Sequence, residues 1–234
     1  MNFKDFKKNV QFINEGVYDP GIFKAFFLAG GPGSGKTFVT QSAFAGTGLK
    51  VVNSDRAFEK GLRDANLSLK MPDEEEYFRN LIRKKAKVST STQLDTYVKG
   101  RLGLVIDATG RDYNVIHTQH NMLKQLGYDC IMIFVNTSLK VALERNKKRS
   151  RTIPDSVVEY SWKTVQSNIG QFQRLFAPSN FLVIDNNRDE QELVNITLNR
   201  ASRYIKSQLN TKVNNYIAKL WISKQLELKK RIWH

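Results

Sequence analysis

The stretch FFLAGGPGSGKTF, residues 26–38, decides the fold. Gly30, Gly35, Lys36 and Thr37 satisfy the spacing G-x-x-x-x-G-K-[ST], directly after an apolar run and directly before a helical one. That context lets the pattern work as a phosphate-binding loop. Gly31, Gly33 and Gly35 let the backbone wrap closely, so that its N–H groups, that of Ser34 included, point at phosphate from a helix N-terminus. Lys36 is expected to bridge the β- and γ-phosphates of a nucleoside triphosphate, and the Thr37 hydroxyl to hold Mg²⁺.

Outward from the loop, short apolar runs alternate with longer amphipathic segments, the order of βαβ units. Five runs read as strands: KAFFLA at 24–29, LKVVN at 49–53, LGLVID at 102–107, DCIMIFVN at 129–136 and FLVID at 181–185. Each is apolar throughout, as expected where helices cover both faces. Helices are expected at 36–44, 56–65, 113–126, 138–149 and 155–175, with a broken helical run over 73–100. The fold class is therefore α/β: a P-loop architecture with a five-stranded, mostly parallel sheet and a C-terminal helical extension. Residues 1–190 form the catalytic unit and 191–234 the extension, which carries eight Lys/Arg against one Glu over 201–234. That tail reads either as a basic-faced helix packed on the sheet, or as a contact for nucleic acid or a partner through residues such as Trp221 and Trp233.

Lys and Arg number 37 against 22 Asp and Glu, a net charge of +15. Such a surface attracts polyanions, so nucleotides, DNA and RNA are candidate partners. The single cysteine, Cys130, lies within an apolar run, so no disulfide can form within the chain and the thiol reads as a core residue. A reducing, cytoplasmic setting is expected, that of a host cell if the chain is phage-encoded. The N-terminal residues lack an apolar signal region, and no run reaches the roughly 18 apolar residues of a membrane span.

Two acids follow apolar runs. Asp107 ends LGLVID, near where a metal would sit, and Asp55 follows the second strand in VVNSDR, at the carboxyl edge where ligands lie in open α/β sheets. Asp55 is a candidate general base for a hydroxyl attacking the γ-phosphate; the residue type equally suits a helix N-cap. Ala108 stands where motor ATPases place a water-activating Glu, and NKKR at 146–149 lacks the final Asp of a guanine-reading motif. Five of the seven residues over 145–151 are basic. Guanidinium groups beside a phosphate loop suit transition-state charge, and the segment 145–154 reads as a lid.

GGPGSGKT, VVNSDR, LVIDATG and LERNKKRSRTIPDSVVEYSWKTV, in this order, resemble the kinase domain of phage-type polynucleotide kinases, and also zeta-toxin-like P-loop kinases. The resemblance covers about 24–185. It implies an ATP- and Mg²⁺-dependent kinase acting on a hydroxyl of a nucleic-acid or nucleotide-like acceptor. Asp55 would be the general base, and Arg149 the phosphate-contacting arginine, helped by Arg145 and Arg151. Asp107 matches only in part, because Ala108 separates it from Thr109. The insertion at 66–101 would form the acceptor side, with Arg79, Arg83, Lys84, Lys85 and Lys87 steering an anionic acceptor. Two rivals remain: a nucleotide-regulated nucleic-acid-binding ATPase, and a toxin-like kinase of a small nucleotide sugar.

Overall fold

The computed structural model describes residues 16–70, 72–149, 152–187 and 191–232. Its centre is a five-stranded sheet of β1 (Lys24–Ala29), β2 (Lys50–Val52), β3 (Leu104–Asp107), β4 (Asp129–Asn136) and β5 (Phe181–Asp185). The strands are all parallel, in the order β2-β3-β1-β4-β5. β1 is buried at every residue, and its alternating side chains serve two cores. Ala25, Phe27 and Ala29 join one cluster, Phe26 and Leu28 the other.

Eight helices are described: α1 (Lys36–Ala43), α2 (Ser54–Asp64), α3 (Glu76–Lys99), α4 (Tyr113–Gln125), α5 (Leu139–Lys147), α6 (Asp155–Phe176), α7 (Gln191–Asn210) and α8 (Tyr216–Ile232). Helices α4, α6 and α8 supply Leu123, Phe172 and Ala218 to the first core; α1 and α7 supply Val39, Ala201 and Ile205 to the second. A third, smaller cluster of Phe58, Leu62 and Ala86 joins α2 to α3 away from the sheet.

The expected break over 73–100 is absent. A 3-10 turn at Asp73–Glu75 leads into one continuous helix of 24 residues. In its Thr-rich second half Thr90, Thr92 and Thr96 each donate a hydroxyl to the carbonyl four residues back, so the hydroxyls are satisfied within the helix.

The C-terminal extension is woven into the body. Trp221 packs edge-on against Phe23 with centroids 5.6 Å apart, and the Arg101 guanidinium lies 4.5 Å above its ring. The expectation of an exposed Trp221 is thereby corrected: its indole is partly buried in the first core. Trp233 lies outside the described residues. Among the described residues, no helix is long and apolar enough to cross a membrane.

Candidate active site

The phosphate loop joins the central strand to α1 at the point where the strand order reverses, the usual crevice for ligands in open parallel sheets. Leu28 pairs with Asp107 across β1 and β3. The two chains stay tied past the sheet, since Ala108 N donates to Leu28 O and Gly30 N to Thr109 O, each at 3.0 Å. Gly33 adopts φ +75°, and a Cβ there would meet Ala142 O at 2.5 Å, so α5 can press on the loop only because this residue has no side chain. The Lys36 ammonium donates to the loop's own carbonyls, Gly30 O at 2.5 Å and Gly31 O at 3.4 Å. Thr37 is exposed in the first turn of α1.

Burial pushes Lys36 below the ordinary lysine value; Asp107 and then Asp55 pull it back up, and Arg149 lowers it. Burial raises Asp107 above the usual carboxylate range, Lys36 opposes the shift, Asp55 adds to it, and Arg56 and the Asn53 hydrogen bond oppose it. Lys36 thus feels the charges of Asp107, Asp55 and Arg149, and Asp107 those of Lys36, Asp55 and Arg56.

Asn53 explains how the acids are arranged. Its side-chain oxygen accepts from Asp55 N and Arg56 N, capping α2, while its Nδ2 donates to Asp107 Oδ2 at 2.7 Å. The cap role is filled by Asn53, so Asp55 sits in the first turn, where an acid also suits the helix dipole.

On the other side, Asn146 is buried and ties the base of the basic segment: its Nδ2 donates to Ile153 O at 2.7 Å and its Oδ1 accepts from Ile153 N at 3.2 Å. Arg149 is exposed just beyond α5. Arg145 Nη1 donates to Asn186 O at 2.8 Å, and Arg151 lies outside the described residues. On the acceptor-side insertion, Arg79 donates to Pro72 O and so fastens the turn that opens α3, while Arg83 lies 4.1 Å over the Phe58 ring and joins α3 to α2. Lys84, Lys85 and Lys87 are exposed.

Sequence reasoning missed Asn186. Just past β5 and buried, it donates its amide to Ser34 O at 2.7 Å. Its backbone N–H donates to Asn136 O, and its carbonyl accepts from Thr137 Oγ1 at 3.3 Å as well as from Arg145. One residue thus connects the phosphate loop, the end of β4 and the basic helix. Helix α6 adds two further supports: Trp162 Nε1 donates to Thr137 O at 2.7 Å, and Asn168 Nδ2 donates to Gly110 O and Arg111 O at 3.0 Å each.

Fold and loop together define a P-loop nucleoside-triphosphate-binding domain. Residues 26–172 match the family described as an AAA domain, and the chain belongs to that family. No curated protein matches it in sequence. Among solved structures, the chain resembles a protein from Chloroflexus aurantiacus described as a candidate kinase. Identity is 18%, coverage 80% of this chain and 98% of that one, and the TM-score 0.57. It also resembles the AvrRxo1-ORF1:AvrRxo1-ORF2 complex with ATP (16%, 71% and 55%, TM-score 0.54) and the shikimate kinase of Bacteroides thetaiotaomicron (13%, 78% and 98%, TM-score 0.51). At these identities the likeness is one of fold.

Proposed function

We propose that the chain is an ATP-dependent kinase that transfers the γ-phosphate to a hydroxyl of an anionic, nucleic-acid or nucleotide-like acceptor. The observation that carries this reading is the placement of Asp107 opposite Leu28, where the phosphate loop leaves β1, and its tie through Asn53 to the helix that begins at Ser54–Asp55; Lys36 also feels the charges of Asp107, Asp55 and Arg149. A loop that only grips phosphate needs none of these three; a phosphotransfer site uses a base, a metal-side acid and a cation for the developing charge. Asp55 accepts the proton of the attacking hydroxyl. Arg149, with Arg145 and Arg151, stabilises charge on the transferring group.

The residues fit Mg²⁺. Thr37 offers a hydroxyl beside the loop, and Asp107 is a buried carboxylate whose burial penalty a neighbouring cation would relieve. Thr37 and Asp107 would hold the ion, which would supply neutralisation of the negative charge on the phosphates. The anionic acceptor is favoured by the net charge of +15, by exposed Lys84, Lys85 and Lys87, and by the resemblance to polynucleotide kinases.

The test supplies ATP and Mg²⁺ with 5′-hydroxyl oligonucleotides, nucleosides and nucleotide sugars. Labelling of an acceptor is expected; ATP hydrolysis at one rate with or without every acceptor would favour an ATPase instead. Asp55→Asn should retain nucleotide affinity and lose transfer by about 10²–10⁴-fold, the usual worth of a positioned base. Unchanged turnover would remove Asp55 from the mechanism.

A further inference from the structure

At the sheet edge opposite the phosphate loop lies a cavity of about 490 Å³. It is bounded by the first residues of β1 and β4, the end of α7 and the 211–215 connection to α8. Its inner wall holds Lys24, which is only 1% exposed. The Lys24 ammonium donates to Asp129 Oδ2 at 3.0 Å. That carboxylate is already engaged, since Oδ2 also accepts from Asn214 N at 2.9 Å and Oδ1 from Asn215 N at 3.2 Å.

An ammonium carries three hydrogens, and Lys24 has this one acceptor among the described residues. Lys124 and Lys212 stand on the rim with no acceptor for their ammonium groups among the described residues. With Lys24 neutralised by Asp129, Lys124 and Lys212 leave an excess of two positive charges around a recess rather than on a flat surface. The rest of the lining includes the neutral polar groups of Ser179, Asn180 and Gln208. Lysines act as point charges toward phosphate oxygens, and the excess matches a phosphate dianion. The volume lies within the 300–1,000 Å³ of small-molecule sites and far exceeds what inorganic phosphate fills.

We propose that this cavity is a second anion site, separate from the phosphate loop, that takes a small phosphate monoester. The phosphate is held by the exposed Lys124 and Lys212, above the buried Lys24–Asp129 pair, and the ester body faces Asn180 and Gln208. Because the 211–215 connection forms one wall, the ligand ties the C-terminal helices to the strand ends. Site occupancy would then be reported by the connection rather than by the catalytic loop.

The probes are ribose 5-phosphate and inorganic phosphate, with ribose as the neutral control, titrated calorimetrically into the full chain at about 150 mM KCl to screen diffuse attraction. Lys36→Ala silences the phosphate loop, so binding that persists in it belongs elsewhere. One ribose 5-phosphate per chain is expected in wild type and in Lys36→Ala, more tightly bound than inorganic phosphate. It should bind roughly tenfold or more weakly in the Lys124→Ala/Lys212→Ala variant, for the loss of two charged contacts. Both of those lysines are exposed, so their loss leaves the core intact. Ligand should also slow amide exchange over 208–215. Loss of all binding in Lys36→Ala, or undiminished binding in the double-lysine variant, overturns the site. Equal affinity for inorganic phosphate and the ester overturns the ester assignment.

Discussion

Replacing Asn186 with alanine removes a single donor on which the phosphate loop leans. The Asn186 amide reaches Ser34 O at 2.7 Å, 152 positions back along the chain. Ser34 is 1% exposed, and its Oγ has no partner of its own. In Asn186→Ala the Ser34 carbonyl is left buried and unpaired, at a cost of about 1–3 kcal/mol. In a chain of this size each kcal/mol moves the melting temperature by about 2–4 °C, so a drop of about 2–12 °C is expected. The loop must also hold its N–H groups ready for phosphate. If about 1.4 kcal/mol of the loss is felt on binding, ATP affinity falls about tenfold. Asn186→Asp sharpens the test because it keeps the side-chain shape, cannot donate when ionised, and sets a negative charge against a loop built for phosphate. Its nucleotide affinity should fall below that of the alanine variant. Thermal unfolding and titration with a fluorescent ATP analogue measure both effects. An alanine variant with wild-type melting and affinity, or an aspartate variant that binds better than the alanine one, would refute the reasoning.

Trp221→Ala should lower stability toward the lower end of the about 3–5 kcal/mol typical of such truncations, since the indole is partly buried against Phe23 and under Arg101. Urea unfolding followed by circular dichroism reads this; no change would mean that α8 is dispensable to the core. Burial pushes the Cys130 thiol up to about 12. Because the folded value lies above the unfolded one, the associated stability is complete below the ordinary thiol range and is lost progressively as pH rises from that range to about 12. Cys130 should therefore label with a thiol reagent at pH 8 orders of magnitude more slowly in native protein than in urea, and rapid native labelling would contradict the burial.

The strands were legible because each is an uninterrupted apolar run between turn residues, and DCIMIFVN and FLVID match their observed bounds residue for residue. The phosphate loop was legible for a similar reason: its chemistry is local, confined to Gly30–Thr37. What sequence left hidden is long-range. Nothing near VIDNN announces that the first of its two asparagines reaches Ser34. Asn53 sits one residue before a helix and reads as a cap, but its second bond, to Asp107, crosses 54 positions. Arg79 and Arg83 were read as steering charges because their composition is that of a basic face. Pro72 O engages Arg79 within the turn that opens α3, and the Phe58 ring that engages Arg83 is visible only once α2 and α3 are folded together.

The strand order gives the candidate site a division of labour. β2 and β3 lie on one side of β1 and deliver Asn53, Asp55 and Asp107; β4 and β5 lie on the other and lead to Arg145, Arg149 and Asn186. The acids and the guanidinium groups thus reach the loop from strands on opposite sides of β1, which is the arrangement the proposed phosphotransfer needs. The acid flank continues into α2 and α3, whose shared core of Phe58, Leu62 and Ala86 lies apart from the sheet cores, while Leu94 ties the second half of α3 into the first of them. Packing in one cluster is only weakly coupled to packing in another when they share no side chains. Substitutions at the exposed residues of α2 and of the first half of α3 are therefore expected to leave β1, Lys36 and Asn186 in place.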